Sequence, residues 1–426
     1  MSEEYKAFLE KKKRNVIQTG IDISEEHLNP LLFDFQKYAV KQALSYGRYA
    51  LFEECGLGKT FQQIEFAKQL TKTFNENALI IAPLGVSGQT IKQAEKFGYE
   101  IVRANSGKQS QDKIEITNYE QLDNIDFDRY EIIVLDESSI LKNFEGQTKK
   151  KLIEVTKNKR FRLPCTATPS PNDDMEICNH AEFLGIDRRE QILAMYFTHD
   201  GGDTAKWRLK GHAKQMFWNF VKSWSLFISN PSDIGFDGSK FILPELNIVE
   251  HLIETPSNGQ TLFNDISVNA TDFNRELRNT LKFRTEKTIE LAESTNDQII
   301  IWCKQNEESK FLSQNIKGAV EITGSDAPEE KEEKLMAFAS GQINKIVTKT
   351  KIAGYGMNFQ NCHHQIHASF DFSFESLYQS IRRSYRFGQL HPVKVHLIVT
   401  DTMQNVLKSI MDKDAQFEQM KNFLNK

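Results

Sequence analysis

The sequence predicts an α/β protein of two lobes, each a parallel sheet with helices on both faces. Three observations carry that expectation. Short apolar runs alternate with helical patterns, as in β-α-β units. The runs fall into two groups along the chain. The 426 residues, at roughly 100 to 200 per domain, leave room for two or three cores.

The first group of runs covers Arg48 to Glu53, Ala78 to Ala82, Glu131 to Leu135 and Arg160 to Pro164. The second covers Gln298 to Cys303, Ala319 to Ile322, Lys345 to Thr348, His364 to Ala368 and Lys394 to Val399. Between them the pattern changes to a long aromatic-rich helix and then the glycine- and proline-bearing stretch NPSDIGFDGSKFILPEL. The expected layout is an N-terminal extension 1–30, a first lobe 31–186, a helical, aromatic and basic connecting segment 187–244 and a second lobe 245–426. No short-period repeat is present.

Composition narrows the class. With 39% hydrophobic and 26% charged residues, the chain is built to fold rather than to stay disordered. A net charge of -4 means that any nucleic-acid binding uses a local basic surface and not the global field. The five cysteines are scattered, with no C-x-x-C pair, which fits a reducing compartment. No apolar run approaches the roughly 18 residues needed to cross a bilayer, and the first residues lack a hydrophobic signal core, so a cytoplasmic protein is expected.

The first chemical feature is EECGLGKT at Glu53 to Thr60, between the strand-like RYALF and the helical FQQIEFAKQL. Strand, glycine loop and helix are the context of a phosphate-binding loop. Gly56 and Gly58 let backbone N-H groups face phosphates, Lys59 reaches the β- and γ-phosphates, and the Thr60 hydroxyl can sit on Mg²⁺. Glu53 stands where the general pattern has its first glycine. A turn that merely joined strand to helix would not need Lys-Thr at this spacing.

Downstream, YEIIVLDESS puts Asp136 and Glu137 just past four apolar residues. That is the carboxyl end of a buried strand, where open α/β sheets hold their ligands. Asp136 would hold Mg²⁺, directly or through water, and Glu137 would polarise the attacking water as general base. An acidic pair after a strand is often only a solvated loop; beside a phosphate loop it has a use.

Together LFDFQKYA, EECGLGKT, ITNYEQL, LDESSILKN, TATP and YQSIRRSYRFGQ resemble, in order and spacing, the boxes of superfamily 2 helicases. The chain looks most similar to the Swi/Snf-type branch of DNA translocases, and HDGGDTAKWRLKGHA at His199 to Ala213 resembles a compact phage and prophage set of such enzymes. The resemblance spans about residues 31 to 400. It implies two tandem RecA-like lobes with an ATP cleft between them, and ATP with Mg²⁺ as cofactors. It further implies that Gln36 recognises adenine beside Phe33 or Phe35, and that Thr166 and Thr168 couple hydrolysis to nucleic-acid contact. Pro83, Thr117 and Tyr119 would lie along the strand. In the second lobe Thr323 and Gly324, and Thr350, Gly354, Gly356 and Asn358, match boxes that touch the sugar-phosphate track or the ATP edge, Gly356 being taken for ATP. Ser139 departs from the family, which often has His or Asp there, leaving open how that position reaches the Thr166 box.

In the last box Gln379, Arg383 and Arg386 are spaced i, i+4 and i+7, which predicts one helical face. Arg383 and Arg386 would then act as arginine fingers on the transferring γ-phosphoryl, an effect worth about 10³ to 10⁵ in rate. Arg382 points elsewhere on such a helix.

From Thr204 to Ser232 there is no acidic residue, while five Lys or Arg and three tryptophans occur. Such a strip suits backbone phosphates and base stacking. However, Phe217, Phe220, Val221, Trp224, Phe227 and Ile228 follow helical spacing, so that face is read as core. Trp207 falls outside the pattern and, with Lys206, Arg208 and Lys210, is read as a DNA-contacting element.

The expected function is an ATP-dependent DNA helicase or translocase acting in phage or bacterial replication, recombination or repair. Its partner would be single-stranded, forked or duplex DNA, with RNA not excluded. Two alternatives stand beside it: a duplex-DNA remodelling translocase that separates no strands, and a nucleotide-gated binding switch. The paired arginines argue against a pure switch, which has no need of transition-state fingers.

Overall fold

The computed structural model describes residues 18–143, 146–200, 203–255, 272–353 and 358–425. Residues 1–17, Gly354, Gly356 and the side chain of Lys206 lie outside the described residues. Contacts divide the chain into two compact units, one of residues 18–54, 58–236 and 420–425, the other of residues 55–57 and 237–419.

The first unit is a seven-stranded parallel sheet. Its strands are β1 (Ala50–Glu53), β2 (Ala78–Ala82), β3 (Ile101–Arg103), β4 (Ile114–Asn118), β5 (Ile132–Asp136), β6 (Phe161–Thr166) and, after an antiparallel hairpin of β7 (Phe197–Asp200) and β8 (Asp203–Leu209), β9 (Ser225–Ile228). The order is β3-β4-β2-β5-β6-β1-β9. Every residue of β1, β2, β5 and β6 is buried, as a parallel sheet covered on both faces requires. The helix Lys59–Phe74 crosses from β1 to β2 and buries Ile64, Ala67 and Leu70 at the i, i+3, i+6 spacing of one face. It ends at Asn75 in the left-handed conformation, φ 59°.

Two expectations change here. The segment expected to connect the lobes belongs to the first unit as far as residue 236. The long aromatic helix is instead two helices, Arg189–Tyr196 and Lys214–Lys222, around the β7-β8 hairpin. Phe217, Val221, Trp224 and Ile228 are buried, so the core reading holds. Yet the last part of the run is a strand: Ser225 to Ile228 pair in register with Ala50 to Glu53. Only Ser223 and Trp224 separate helix from strand, so the apolar spacing reads through the boundary, and the free edge of β1 decides the outcome.

The second unit is a six-stranded parallel sheet of β10 (Leu246–Ile253), β11 (Ile299–Cys303), β12 (Ala319–Glu321), β13 (Lys345–Lys349), β14 (His364–His367) and β15 (Val393–Thr400), in the order β10-β15-β14-β11-β13-β12. Alternate residues of β11 feed two cores. Ile299, Ile301 and Cys303 pack with Leu312, Val347 and Ile366, while Ile300 and Trp302 pack with Phe338, Ile346 and Phe359. At the carboxyl end of β11 a buried ion pair, Arg284 with Glu308, is completed by Arg284 donating to Ala368 O at 2.8 Å and Leu277 O at 2.6 Å. Among the described residues no helix is long and apolar enough to cross a membrane.

Candidate functional site

Strands β5, β6 and β1 are neighbours, and three sequence boxes leave from the same carboxyl edge. Glu53 ends β1 and opens the phosphate loop, Asp136 ends β5, and Thr166 ends β6. Register ties them: Phe52 lies opposite Thr166 and Asp136 opposite Cys165.

The loop backbone has the shape that its glycines allow. Gly56 has φ 94° and Gly58 φ 84°, both in the left-handed region that side chains resist. Gly58 caps the helix Lys59–Phe74 without a side chain on its first turn. This leaves an N-terminus suited to an anion. Lys59 is buried and its Nζ donates to Glu53 O at 2.7 Å and Glu54 O at 3.2 Å. Gln36 Oε1 accepts from Phe33 N at 3.0 Å, which caps the helix Asp34–Tyr46. Its Nε2 lies so close to Gly58 that a side chain there would collide with it. The loop therefore presents a glycine-lined turn, a lysine and an amide to one region, the donor set a nucleotide triphosphate needs. Phe33 is exposed and stacks on the buried Phe35 with ring centroids 6.1 Å apart.

The acidic box is held from several sides. Asp136 is buried, and its Oδ1 accepts from Gln63 Nε2 at 2.8 Å. Tyr119 OH donates to Asp136 O at 2.7 Å. Burial and the Asp136 charge hold that phenol well above its ordinary range, so it stays a donor. Glu137 adopts φ 49° and ψ 54°, a left-handed conformation rare for a residue with a side chain. Glu53 is fully buried; desolvation lifts its carboxyl to about 7 against the opposing pull of Lys59 and of the hydrogen bond from Gln62, whose Nε2 donates at 2.7 Å. Of the residues read as Mg²⁺ ligands, Asp136 is the last residue of β5 and Thr60 the second residue of the helix that the phosphate loop leads into. An acid, a hydroxyl and phosphate oxygens suit a hard cation that keeps several waters.

Thr166 and Thr168 are both buried, and Thr166 Oγ1 accepts from Thr168 N at 3.1 Å. Of the strand-contact residues, Pro83 follows β2 at the same edge, whereas Thr117 is buried inside β4 and Tyr119 has its hydroxyl on Asp136. In the hairpin, Trp207 packs against His199 with ring centroids 3.8 Å apart and planes tilted by 40°, and Arg208 is exposed opposite Thr198. Lys210 differs from its expectation. Its Nζ donates to Ala194 O at 3.0 Å and Met195 O at 3.1 Å, capping the carbonyl end of the helix Arg189–Tyr196.

The second unit changes the reading of the last box. The helix stops at Ile381, so Gln379, Arg383 and Arg386 do not share one helical face. Gln389 closes the irregular turn that follows, donating from Nε2 to Gln360 O at 3.0 Å, Cys362 O at 3.2 Å and Ser384 O at 3.3 Å. Arg383 Nη2 donates to Gln379 Oε1 at 3.0 Å, and Arg386 pairs with Asn358. Gln379 and Arg383 thus stay together and Arg386 departs. Thr323 follows β12 and bonds Asp326, while Thr350 follows β13 and accepts from Ser376 Oγ at 2.9 Å. The sequence does not single out Gln63, His180 or Gln389; the Gln62-Gln63 pair on a helix that must be buried is a signal that could have marked Gln63.

A parallel-sheet unit with a phosphate loop and acidic strand end, followed by a second parallel-sheet unit, defines the class: tandem RecA-like lobes. An SNF2-related domain matches residues 48–198 and a helicase conserved C-terminal domain matches residues 282–388. The chain belongs to superfamily 2 and is of the Swi/Snf type, a family of nucleic-acid-dependent ATPases. It is also similar to a Sulfolobus solfataricus SWI2/SNF2 ATPase core solved in complex with dsDNA, at 19% identity over 94% of this chain and 95% of that one, with a TM-score of 0.46. No curated protein sequence matches it.

Proposed function

We infer that this chain is an ATP- and Mg²⁺-dependent motor that moves along DNA, a helicase or translocase serving phage or bacterial replication, recombination or repair. The observation that supports it most is the common edge of β1, β6 and β5, where Asp136 and Thr166 end their strands and the loop leaving β1 delivers Lys59 at the start of its helix.

Each residue then has a task. Gln36 reads the base, the Gly56 to Thr60 loop cradles the phosphates, and Lys59 exchanges its two carbonyl partners for them. Thr60 and Asp136 hold the metal, and Glu137 takes a proton from the attacking water. Bound ATP with Mg²⁺ supplies the phosphoryl transfer; the protein contributes position and charge. Arg383 and Arg386 neutralise developing charge on the phosphoryl oxygens when the second unit closes on the nucleotide. Thr166 and Thr168 pass the change to the strand-binding residues, with Pro83, Trp207, Arg208, Thr323 and Thr350 as contacts and Lys210 as a support beneath them. Closure and release that alternate with different grips on the backbone give net movement.

The test is ATP turnover with no polymer, single-stranded DNA, duplex DNA and RNA in turn. Stimulation by DNA is expected. Equal turnover in all four would leave a nucleotide switch instead, and stimulation by RNA alone would change the track. Strand-release and triplex-displacement assays then separate unwinding from movement on duplex.

A further inference from the structure

Glu137 is the residue on which hydrolysis depends in the reading above, and it sits on a left-handed backbone that needs support from outside its own turn. The support on one side is Tyr119, through Asp136 O. On the other side it comes from a part of the sequence with no box of its own, the helix Ile177–Leu184 that follows the Thr166 to Thr168 segment.

Two consecutive residues of that helix reach the turn after Glu137. His180 Nε2 lies 3.1 Å from Ser138 Oγ, with both residues fully buried. Asn179 Nδ2 donates to Leu141 O at 2.8 Å and Lys142 O at 3.1 Å. The His180 ring also meets Phe52 edge-on, centroids 5.2 Å apart, on the strand that delivers the phosphate loop. Ser139, which stands where the family often has His or Asp, makes only a long contact of 3.5 Å to Glu137 O. Burial pushes the imidazole down to about 3, so the ring is neutral at ordinary pH and shares one proton with the serine rather than presenting a charge.

We propose that His180, acting through Ser138, is a positioning residue that holds the backbone of Glu137 in the orientation needed for catalysis. This does the work that Ser139 does not. It rests on the reading of Glu137 as general base. It also joins three strands' worth of chemistry through one side chain: the acidic turn, the strand under the phosphate loop, and the helix that leaves the Thr166 box.

The experiment compares His180→Phe, His180→Gln and Ser138→Ala by steady-state ATP turnover in saturating DNA, with nucleotide affinity measured separately by a fluorescent ATP analogue. Phe keeps the ring and its packing on Phe52 but removes the polar atom; Gln places an amide near Nε2. His180→Phe and Ser138→Ala are each expected to lower kcat by roughly tenfold to a hundredfold, the scale of a misplaced catalytic group, with KM for ATP and analogue affinity within about twofold. Combining them should cost little more than either alone, and His180→Gln should recover most of the loss. Turnover within about twofold of the parent in both single variants overturns the proposal, and so does a parallel loss of nucleotide affinity, which a merely structural role would produce. Glu137→Gln, run alongside, separates the two readings. If it is inactive while His180→Phe is normal, only the positioning role fails; if it is active, the general-base reading fails and takes this one with it.

Discussion

The two units support their chemistry differently. In the first, Asp136 and Thr166 are last residues of buried strands, each paired in register with a neighbouring strand. In the second, Arg383 and Arg386 lie beyond the end of their helix, one on Gln379 and the other on Asn358. A strand end moves only with its sheet. A guanidinium held by an amide can change partner, since hydrogen bonds to charged groups are worth about 1.5–3 kcal/mol. In the function proposed above, the first unit would hold the nucleotide in a fixed frame and the arginines of the second would supply charge that is engaged and released.

The sharpest way to break that comparison is at the arginines. Arg386→Ala is expected to lower kcat by about 10³ or more while nucleotide affinity stays close to normal. Near-normal turnover would mean that the second unit supplies no transition-state charge. If Arg383→Ala costs much less than Arg386→Ala, the Gln379 pairing marks Arg383 as a support for its neighbours, and a comparison of the two kcat values reads this directly.

The next effect belongs to the fixed half. Glu137→Gln should reduce kcat by about 10² to 10⁴, the range of a general base, with unchanged ATP affinity. Lys59→Ala should lose both turnover and affinity, because Lys59 serves ground state and transition state alike. A variant that lost only affinity would assign Lys59 to binding alone.

A third test asks whether the frame of the second unit is as rigid as that of the first. The Arg284 and Glu308 side chains are almost wholly buried against each other. Arg284→Met should destabilise the protein by about 3–5 kcal/mol, because it strands a buried carboxylate. Replacing both partners with apolar residues should restore much of the loss. Urea unfolding midpoints would decide, and a single variant within about 1 kcal/mol of the parent would show the pair to be incidental.

The smallest effect is on pH. Burial pushes His180, His367 and His396 each down to about 3. The unfolded chain takes up protons at these rings below about 6.5, the folded chain only near 3. Their contribution to stability is therefore complete above about pH 6.5 and is lost as pH falls toward 3. Glu53 opposes them. Its carboxyl is raised from 4.5 to about 7, so the folded chain is the better proton acceptor in that window and gains stability as pH falls through it. Unfolding midpoints measured from pH 8 to 5 should decline, and His367→Phe should make the decline shallower; a flat profile in the parent would contradict the buried neutral rings.

Much of this molecule is legible in the chain alone. The nine runs all became strands, because short runs rich in apolar and β-branched residues are best satisfied in a sheet covered by helices. The phosphate loop and acidic box could be found because their residue types are fixed by local needs: glycines for positive φ, Lys and Thr for phosphate and metal, acids after a buried strand.

What the chain could not show was any feature set by a partner distant in sequence. The strand at Ser225 to Ile228 follows helical spacing and becomes a strand only because β1 offers it an edge. The last box reads as a helical face, yet the helix ends at Ile381 before its arginines, and in the turn beyond it Gln389 draws carbonyls of three separate residues together. Lys210 reads as a phosphate contact until the carbonyls of Ala194 and Met195 claim it. Local spacing fixes which residues can do the chemistry, because periodicity and φ preference act over a few residues. Tertiary packing decides which of them are turned to that use, because hydrogen bonds and sheet edges are satisfied by whatever the fold brings near.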